Sequence, residues 1–326
     1  MRLLVTGATG KVGQNLLPRL LESERFRDCR IVALCNNRVV ETTERVSVLR
    51  GSLADPETIR AAMDGTTHVL HMAAVKESPD LCMDVAVKGM FQLLEAFRQS
   101  PDARQFILIG GDCSVGHMFH PYPGPVTDLA PRKAYPGCYA LTKVLEEVML
   151  EQYQIQYGID GCILRAPWIM EKDDFRCALS FGPDQFGGPP WTDLMSAQDA
   201  ARHHRDGVIP LMLDRDGRPL RRNFVHVNDL CAAILAALDN PAAARRLFNI
   251  SMNEPVDYGQ LAALMKRKHG LDSVTIPTPY HSNWLDNAGA RLALDWRPET
   301  DLEALAEQAW AYRRGPDDPR KVWYPG

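Results

Sequence analysis

Tyr139 and Lys143 lie four residues apart in the segment CYALTKVLEEV. In a helix that spacing places both side chains on one face. A tyrosine has an ordinary pKa of about 10 and is a poor base at neutral pH, whereas a neighbouring ammonium group favours the phenolate. The pair could therefore move a proton at a carbinol carbon. The alternative is that Tyr139 packs in the interior and Lys143 is a solvated surface residue.

A glycine cluster opens the chain, in MRLLVTGATGKVG. Glycines recur at every third position between an apolar run and the helical pattern KVGQNLLPRLLES. Such a turn lets a pyrophosphate approach the free N–H groups of a helix N-terminus, where the helix dipole favours negative charge. The alternative is a plain strand–helix turn. The predicted cofactor-binding residues of this loop are Gly7, Thr9, Gly10, Lys11, Val12 and Gly13.

Strands and helices alternate through the first half of the chain. The pattern predicts strands at LLVTG, RIVALC, VSVLRG, THVLHMAA, RQFILIGG and DGCILRAP, and helices at LCMDVAVKGMFQLLEAFRQ and CYALTKVLEEVMLEQYQIQYG. Asp55 and Pro56 are typical of a helix start. The alternation predicts an α/β fold, a Rossmann-type doubly wound parallel sheet covered on both faces.

The alternation breaks after residue 165. Residues 171–222 are rich in Gly, Pro and Asp, with one helical pattern at TDLMSAQDAARHHRD, and RRNFVHVNDLCAAILAAL then resumes a strand and a helix. We expect the late strand RLFNIS to rejoin the first sheet. The predicted division is a dinucleotide-binding domain at 1–165, rejoined by parts of 223–250, and a smaller, interleaved substrate-binding region at 166–222 and 251–326.

The composition narrows the class of protein. The 326 residues are 45% hydrophobic with a net charge of -4, and no block of Lys or Arg indicates a nucleic-acid partner. The apolar run CAAILAAL is too short to span a bilayer, and a turn beginning at Gly7 leaves no room for a signal-peptide core. We expect a soluble cytoplasmic protein. The eight cysteines lack C-x-x-C spacing, which predicts buried free thiols and no metal site.

The glycine spacing and the Tyr–Lys pair together resemble the extended short-chain dehydrogenase/reductase family, which is NAD-dependent and epimerase/dehydratase-like. The segments HMAA, LLEA, RAP, RNFVHVND and DNAGARLALDW match the family's pattern, so the resemblance covers essentially the whole chain. It implies hydride transfer between a nicotinamide and a carbinol carbon of a sugar-like substrate. Tyr139 would be the proton-transfer residue and Lys143 would hold the cofactor ribose. It also implies a homodimer formed through helices near 80–99 and 138–157.

Further cofactor contacts follow from the same resemblance. NAD-preferring relatives end the second strand with an acid that takes the ribose hydroxyls. Here that strand ends in CNNR, so no carboxylate repels a phosphate and Arg38 could bind one. NADP is therefore favoured over NAD, although Arg38 could also be an ordinary surface residue. The remaining predicted cofactor-binding residues are Asn36, Asn37, Ser52, Leu53, Met72, Ala73, Ala74 and Pro167.

The segment GGDCSV departs from the family pattern. Asp112 occupies the position of a substrate-bonding Ser or Thr, and Ser114, two residues on, would share its face in a strand. We expect either residue to contact substrate; Asp112 could instead cap a loop. Cys113 and Ser114 replace the acidic pair of the family's dehydratases, which removes that chemistry.

Two residues with which the family's nucleotide-sugar enzymes contact a diphosphate are also missing from this sequence. Trp168 replaces a frequent Asn, and no Arg precedes DNAGARLALDW, although Arg221 and Arg222 remain as anion contacts. These departures favour a smaller substrate, a free sugar or a sugar acid. The predicted substrate-binding residues are Asp112, Ser114, His117, Trp168 and Arg222.

The motifs leave the reaction type open. A net dehydrogenase or reductase and a non-net epimerase use the same pair and the same cofactor. A nucleotide-sugar 4-epimerase is an alternative, because residues 171–222 could supply other contacts to a diphosphate. A non-catalytic NAD(P)-sensing protein is a second alternative, which the retention of both Tyr139 and Lys143 disfavours.

Overall fold

Strands and helices alternate in the computed structural model, which describes residues 1–185, 187 and 190–318. The strands are β1 Arg2–Thr6, β2 Arg30–Cys35, β3 Val46–Arg50, β4 His68–His71, β5 Gln105–Gly111, β6 Gly161–Ala166, β7 Trp168–Met170, β8 Ile209–Leu213, β9 Arg221–Arg222, β10 Phe224–His226, β11 Arg246–Asn249, β12 Val256–Asp257 and β13 Ser273–Pro277. The helices are α1 Lys11–Glu22, α2 Pro56–Met63, α3 Pro79–Leu81, α4 Gly89–Gln99, α5 Cys138–Tyr157, α6 Asp174–Ala178, α7 Ala197–Asp206, α8 Val227–Ala237, α9 Tyr258–His269, α10 Ala288–Ala293 and α11 Leu302–Ala311.

The main sheet has seven strands in the order β11-β6-β5-β4-β1-β2-β3, all paired in parallel. This confirms the predicted α/β doubly wound fold. The chain turns back between β1 and β4, and a crevice opens at the carboxyl ends of strands where such an order reverses. Strand β11, from the segment RLFNIS, pairs with β6 at the far edge.

Helices cover both faces of this sheet. Successive side chains of a strand point to opposite faces, so Leu3 of β1 lies in one core with Leu16 and Ile234, from α1 and α8. Leu4 lies in the other core with residues of α2, α4 and α5. Burying each such leucine stabilises the fold by about 1.5–3 kcal/mol.

A separate core forms from the later part of the chain. Three two-stranded sheets pair β10 with β7, β12 with β9 and β13 with β8. Phe175, Leu220 and Leu261 are buried in the cluster that these elements enclose. No helix among the described residues is long and apolar enough to cross a membrane.

Some element boundaries differ from the sequence-based expectation. Strand β4 ends at His71, so Met72–Ala74 lie outside the sheet. Residues 81–99, expected as one helix, instead begin at the last residue of α3 and continue through a π-helical turn at Cys82–Lys88 into α4. In the segment TDLMSAQDAARHHRD, the helix begins only at Ala197, because the Ser196 hydroxyl caps it by accepting from the Asp199 N–H. Asp55 caps α2 as predicted.

Candidate active site

The glycine loop lies at the reversal point of the sheet. Gly7 has a φ of +72°, and a Cβ there would approach the backbone of Met72 and Ala73 to 2.8 Å. A Cβ at Gly13 would come within 2.3 Å of the Ala8 carbonyl oxygen. Only glycine fits both positions, and the loop is therefore packed tightly against the end of β4.

The first turn of α1 is suited to an anion. Its N-cap, Gly10, makes no side-chain capping hydrogen bond. The first N–H groups of a helix have no intrahelical acceptor, and the helix dipole adds partial positive charge there. A tight glycine loop at such a helix N-terminus fits a dinucleotide pyrophosphate.

The side chains of Lys11 and Val12 contact parts of the chain outside this loop. The Lys11 ammonium donates to the Ile169 carbonyl oxygen at 2.9 Å and pairs with the Asp174 carboxylate. Lys11 thereby joins α1 to the segment after β7. The Thr9 carbonyl accepts from the Gln14 side chain at 2.7 Å. Val12 packs against the core beneath α1.

The other end of the crevice lies beyond β2 and β3. Asn36 and Asn37 are exposed and Arg38 is half-buried, directly after β2. The Arg38 Nε is buried and makes no hydrogen bond within the described residues. The Ser52 hydroxyl accepts from the Ala54 N–H, so it supports its own turn. Leu53 is buried, and a Cβ at Gly89 would come within 2.9 Å of it.

Helix α5 carries the Tyr–Lys pair into the crevice. The Glu77 carboxylate accepts from the Cys138 N–H at 3.0 Å and so caps the start of α5. Lys143 is buried, and its Nζ donates to the Ile109 carbonyl oxygen of β5 at 3.1 Å. That bond fixes Lys143 against the sheet. A Cβ added to Gly111 would lie 3.8 Å from the Tyr139 hydroxyl, so the absence of a side chain leaves space in front of it.

The electrostatic surroundings of Tyr139 favour its neutral form. Burial is the main cause that raises the pKa of Tyr139 well above its usual value, followed by the negative forms of Cys113 and Tyr135. The Lys76 ammonium lies 3.6 Å from the centroid of the Tyr139 ring. In this structure the hydroxyl is therefore a proton donor at neutral pH.

The turn after β5 differs from the sequence-based expectation for Asp112 and Ser114. Asp112–Val115 form a 3-10 turn and not a continuation of the strand, so Asp112 and Ser114 do not share a strand face. Ser114 is fully buried, with its hydroxyl 2.8 Å from the Gly111 carbonyl oxygen and 2.7 Å from Glu147 Oε1. Glu147 also pairs with Arg165 at 2.8 Å. Ser114 thus belongs to a buried structural network and does not face the crevice.

Asp112 instead joins a second network. Its Oδ2 lies 2.5 Å from His117 Nδ1, and Arg222 Nε donates to His117 Nε2 at 3.1 Å. The Arg222 guanidinium stacks 3.9 Å from the Trp168 ring centroid. The structure therefore brings together four of the five predicted substrate-binding residues, from the segment after β5, from β7 and from β9.

Pro167 lies between β6 and β7, immediately before Trp168.

Two groups near the Tyr139–Lys143 pair were not predicted from the sequence. Lys76 follows the HMAA segment, and Glu146 lies three residues after Lys143 on the same helix. The helical spacing is the signal that could have identified Glu146.

Comparisons with known proteins agree with this geometry. Residues 3–251 match the model of the NAD dependent epimerase/dehydratase family. D-erythronate dehydrogenase of Cupriavidus necator is 28% identical over 52% of this chain, a match that spans only about half (55%) of the relative's length. UDP-glucose 4-epimerase of Mycolicibacterium smegmatis is 26% identical, over 96% of this chain and 99% of its own.

Solved structures share the fold. A short-chain dehydrogenase/reductase superfamily protein from Agrobacterium tumefaciens with bound NAD has a TM-score of 0.77 at 24% identity, covering 95% of this chain and 96% of its own. UDP-glucuronic acid 4-epimerase from Bacillus cereus, in complex with NAD, has a TM-score of 0.70 at 19% identity, covering 96% of each chain.

Proposed function

The chain belongs to the NAD-dependent epimerase/dehydratase family, of the extended short-chain dehydrogenase/reductase type, and from this premise we propose that it transfers a hydride at a carbinol carbon of a sugar or sugar-acid substrate. The observation that carries the proposal is the Tyr139–Lys143 pair on α5, in which the Lys143–Ile109 hydrogen bond fixes the lysine against β5. A nicotinamide cofactor, when bound, supplies or accepts the hydride.

Residues of this chain would bind the cofactor and transfer the proton. Gly7, Gly10 and Gly13 with the N-terminus of α1 would hold the pyrophosphate, and Met72–Ala74 would line the crevice beside it. Tyr139 gives a proton to, or takes one from, the substrate oxygen. Lys143 adds positive charge beside the tyrosine and has an N–H available for a ribose hydroxyl.

We propose a small polyhydroxy substrate. Asp112 is an acceptor, so it suits a substrate hydroxyl that donates to it. His117 holds the Asp112 carboxylate, Arg222 donates to His117, and the Trp168 ring stacks on the Arg222 guanidinium. The similarity to D-erythronate dehydrogenase supports a sugar acid, although that match covers only about half of the relative. The full-length similarity to UDP-glucose 4-epimerase keeps a nucleotide-sugar 4-epimerase as the second candidate.

The test is a substrate panel with the purified protein. NAD⁺ and NADP⁺ are each incubated with free sugars, sugar acids, and UDP- or dTDP-sugars, and products are separated by chromatography. We expect net cofactor reduction with a free sugar or a sugar acid. An epimer of a nucleotide sugar, formed without net reduction, would establish the second candidate instead.

Arg38 is proposed to select NADP over NAD. Its buried Nε has no partner in the described part of the chain, and a 2′-phosphate would supply one. A charge-assisted hydrogen bond contributes about 1.5–3 kcal/mol. Arg38→Gln should therefore raise the KM for NADP⁺ about 10–100-fold and leave the KM for NAD⁺ nearly unchanged. Equal effects on both cofactors would refute a phosphate contact.

A homodimer is proposed through residues 80–99 and 138–157. Large apolar side chains lie exposed on these segments, which is unusual for surface that stays in water. They are Leu81, Met83, Phe91, Leu141, Ile155 and Tyr157.

Ile155→Glu should convert the dimer to a monomer, because Ile155 is 68% exposed in the single chain and a charge cannot be buried there unpaired. Light scattering after size-exclusion chromatography gives the mass. Leu292→Glu is the matched control, since Leu292 is 86% exposed on α10, outside the proposed interface. A wild-type protein that elutes as a monomer would exclude this interface.

We also propose the domain division given by the sequence, 1–165 with parts of 223–250 against 166–222 and 251–326. The separate core of the later segments supports it. A cytoplasmic location is proposed because all eight cysteines are free thiols, which a reducing compartment preserves. Limited proteolysis, with cuts expected at the boundaries near residues 165, 222 and 250, tests the domain division, and thiol titration of the native protein tests the location.

A further inference from the structure

A buried acid lies directly behind the Tyr–Lys pair. Glu146 has no exposed surface, and its Oε2 accepts a hydrogen bond from Lys143 Nζ at 2.7 Å. Its Oε1 is buried and has no hydrogen-bond partner within the described residues. Burying a carboxylate with an incomplete set of partners is costly. The fold therefore carries this group at a cost in stability, and its hydrogen bond among the described residues is to the lysine of the site.

The next residue shows what a structural acid looks like on the same helix. Glu147 is equally buried, but its two oxygens bond to Arg165, Arg132 and Ser114. Those contacts tie α5 to β6 and to the turn after β5. Glu146 makes no such tie in the described part of the chain, so a role in fold stability does not account for it.

The position of Glu146 acts on the pair in two ways. As an acceptor, it fixes one N–H of Lys143, while Ile109 fixes a second, so the ammonium has one N–H left for a ligand. As a negative charge, it offsets the positive field that Lys143 exerts on Tyr139. The negative charge of Glu146 is one of the causes that raise the pKa of Tyr139.

We propose that Glu146 is a positioning residue for the Tyr139–Lys143 pair, which orients the lysine ammonium and, when ionised, keeps the Tyr139 hydroxyl protonated. The proposal rests on the proposed function, in which Tyr139 exchanges a proton with the substrate oxygen. Tyr139 can therefore donate a proton to the substrate oxygen at neutral pH, as carbonyl reduction requires. Substrate oxidation needs the phenolate of Tyr139, so its rate increases only as the pH rises.

Other groups also act on Tyr139 and remain unchanged in the test. Lys76 lies over the ring, and Asp112 and Cys113 lie in the turn after β5. Around Lys143, His71 of β4 is kept neutral, because burial and the ammonium lower its pKa to about 3. The titratable or charged groups around the pair are Lys11, His71, Lys76, Glu77, Asp112, Cys113, Tyr135, Glu146 and Glu147.

The first experiment is the pH dependence of substrate oxidation in Glu146→Gln. Glutamine retains an acceptor for Lys143 and removes the charge. We expect the midpoint of the rise in kcat to move down by about one pH unit, or about tenfold more turnover below the wild-type midpoint, with an unchanged cofactor KM. Glu151→Gln is the matched control, because Glu151 is a partly exposed acid on the same helix that pairs with Arg132. We expect it to keep the wild-type midpoint.

Glu146→Leu separates the two effects. It removes the acceptor as well as the charge, so we expect the same shift in midpoint together with a lower kcat, which Glu146→Gln restores. A midpoint that stays at the wild-type value in both variants would overturn the proposal.

The ionisation of Tyr139 can also be titrated without substrate, so that the test of Glu146 does not depend on turnover. The phenolate of Tyr139 is followed by ultraviolet difference absorbance of each protein against its Tyr139→Phe counterpart. We expect its midpoint to be lower in Glu146→Gln and Glu146→Leu than in the wild type. If no substrate is turned over, the proposed function fails, and this titration still decides whether Glu146 controls Tyr139. An unchanged phenolate midpoint would overturn the inference alone.

Discussion

Replacing Tyr139 with phenylalanine should lower turnover by about 10²–10⁴-fold, the usual contribution of a positioned acid–base group. The phenyl ring keeps the surface on which the Lys76 ammonium lies at 3.6 Å, so the pocket should remain intact. Only the proton-carrying oxygen is lost. We therefore expect kcat to collapse, while the Kd of the nicotinamide cofactor stays close to that of the wild type.

Tyr157→Phe supplies the control for this prediction. Tyr157 ends the same helix, is half-exposed, and packs against Tyr153 and Arg98 away from the crevice. It should keep wild-type turnover. Full turnover in Tyr139→Phe would assign the proton transfer to a different group. No turnover in either protein, with cofactor binding intact, would favour a non-catalytic, cofactor-sensing role.

Replacing Gly13 with alanine should remove most of the cofactor affinity. The added Cβ would come within 2.3 Å of the Ala8 carbonyl oxygen and 2.6 Å of the Ala8 Cα, so the loop backbone must move. Such shifts typically cost about 1–3 kcal/mol. If the N–H groups of the loop bind the pyrophosphate, that cost corresponds to a loss of about 10–100-fold in affinity. Calorimetric titration with NAD⁺ and NADP⁺ measures it.

Gly124→Ala is the matched substitution, because a Cβ at Gly124 meets nothing within 4 Å. It should bind both cofactors as the wild type does. Unchanged affinity in Gly13→Ala would mean that the cofactor does not depend on the geometry of this loop. A stability measurement on the variant distinguishes a distorted loop from an unfolded protein.

Local patterns were enough to predict much of the fold and part of the site. The glycine turn between β1 and α1 and the one-face pairing of Tyr139 with Lys143 depend on residues within a few positions of each other. Their periodicity therefore appears in the sequence. The segment at Cys138–Tyr157 was predicted as a helix with the same start, since its apolar residues recur at helical spacing.

The arrangement after β5 could not be predicted in the same way. Gly116 and His117 both have positive φ, which turns the chain sharply and brings His117 back to Asp112. Arg222 then reaches His117 across 105 residues of sequence. Nothing in the local pattern encodes that contact. The expectation that Asp112 and Ser114 share a strand face was wrong, because the chain turns at Asp112–Val115.

The buried acid behind the pair is an intermediate case. Glu146 lies on the helix face that carries Lys143, so the spacing alone indicates a contact between them. The sequence does not show that this face is buried against β5, and an exposed pair at that spacing would have little effect. Burial, which depends on the whole sheet, turns an ordinary helical ion pair into a determinant of proton transfer.

The central claim is that this chain uses Tyr139 for hydride-coupled proton transfer on a sugar-like substrate, and cofactor reduction tests it most directly. Wild-type protein and Tyr139→Phe are each incubated with NADP⁺ or NAD⁺ and a series of sugar acids, and the absorbance of reduced nicotinamide is followed. We predict reduction with at least one sugar acid by the wild type and almost none by the variant. Equal rates in the two proteins, or reduction by neither of them with any sugar acid, would contradict the account.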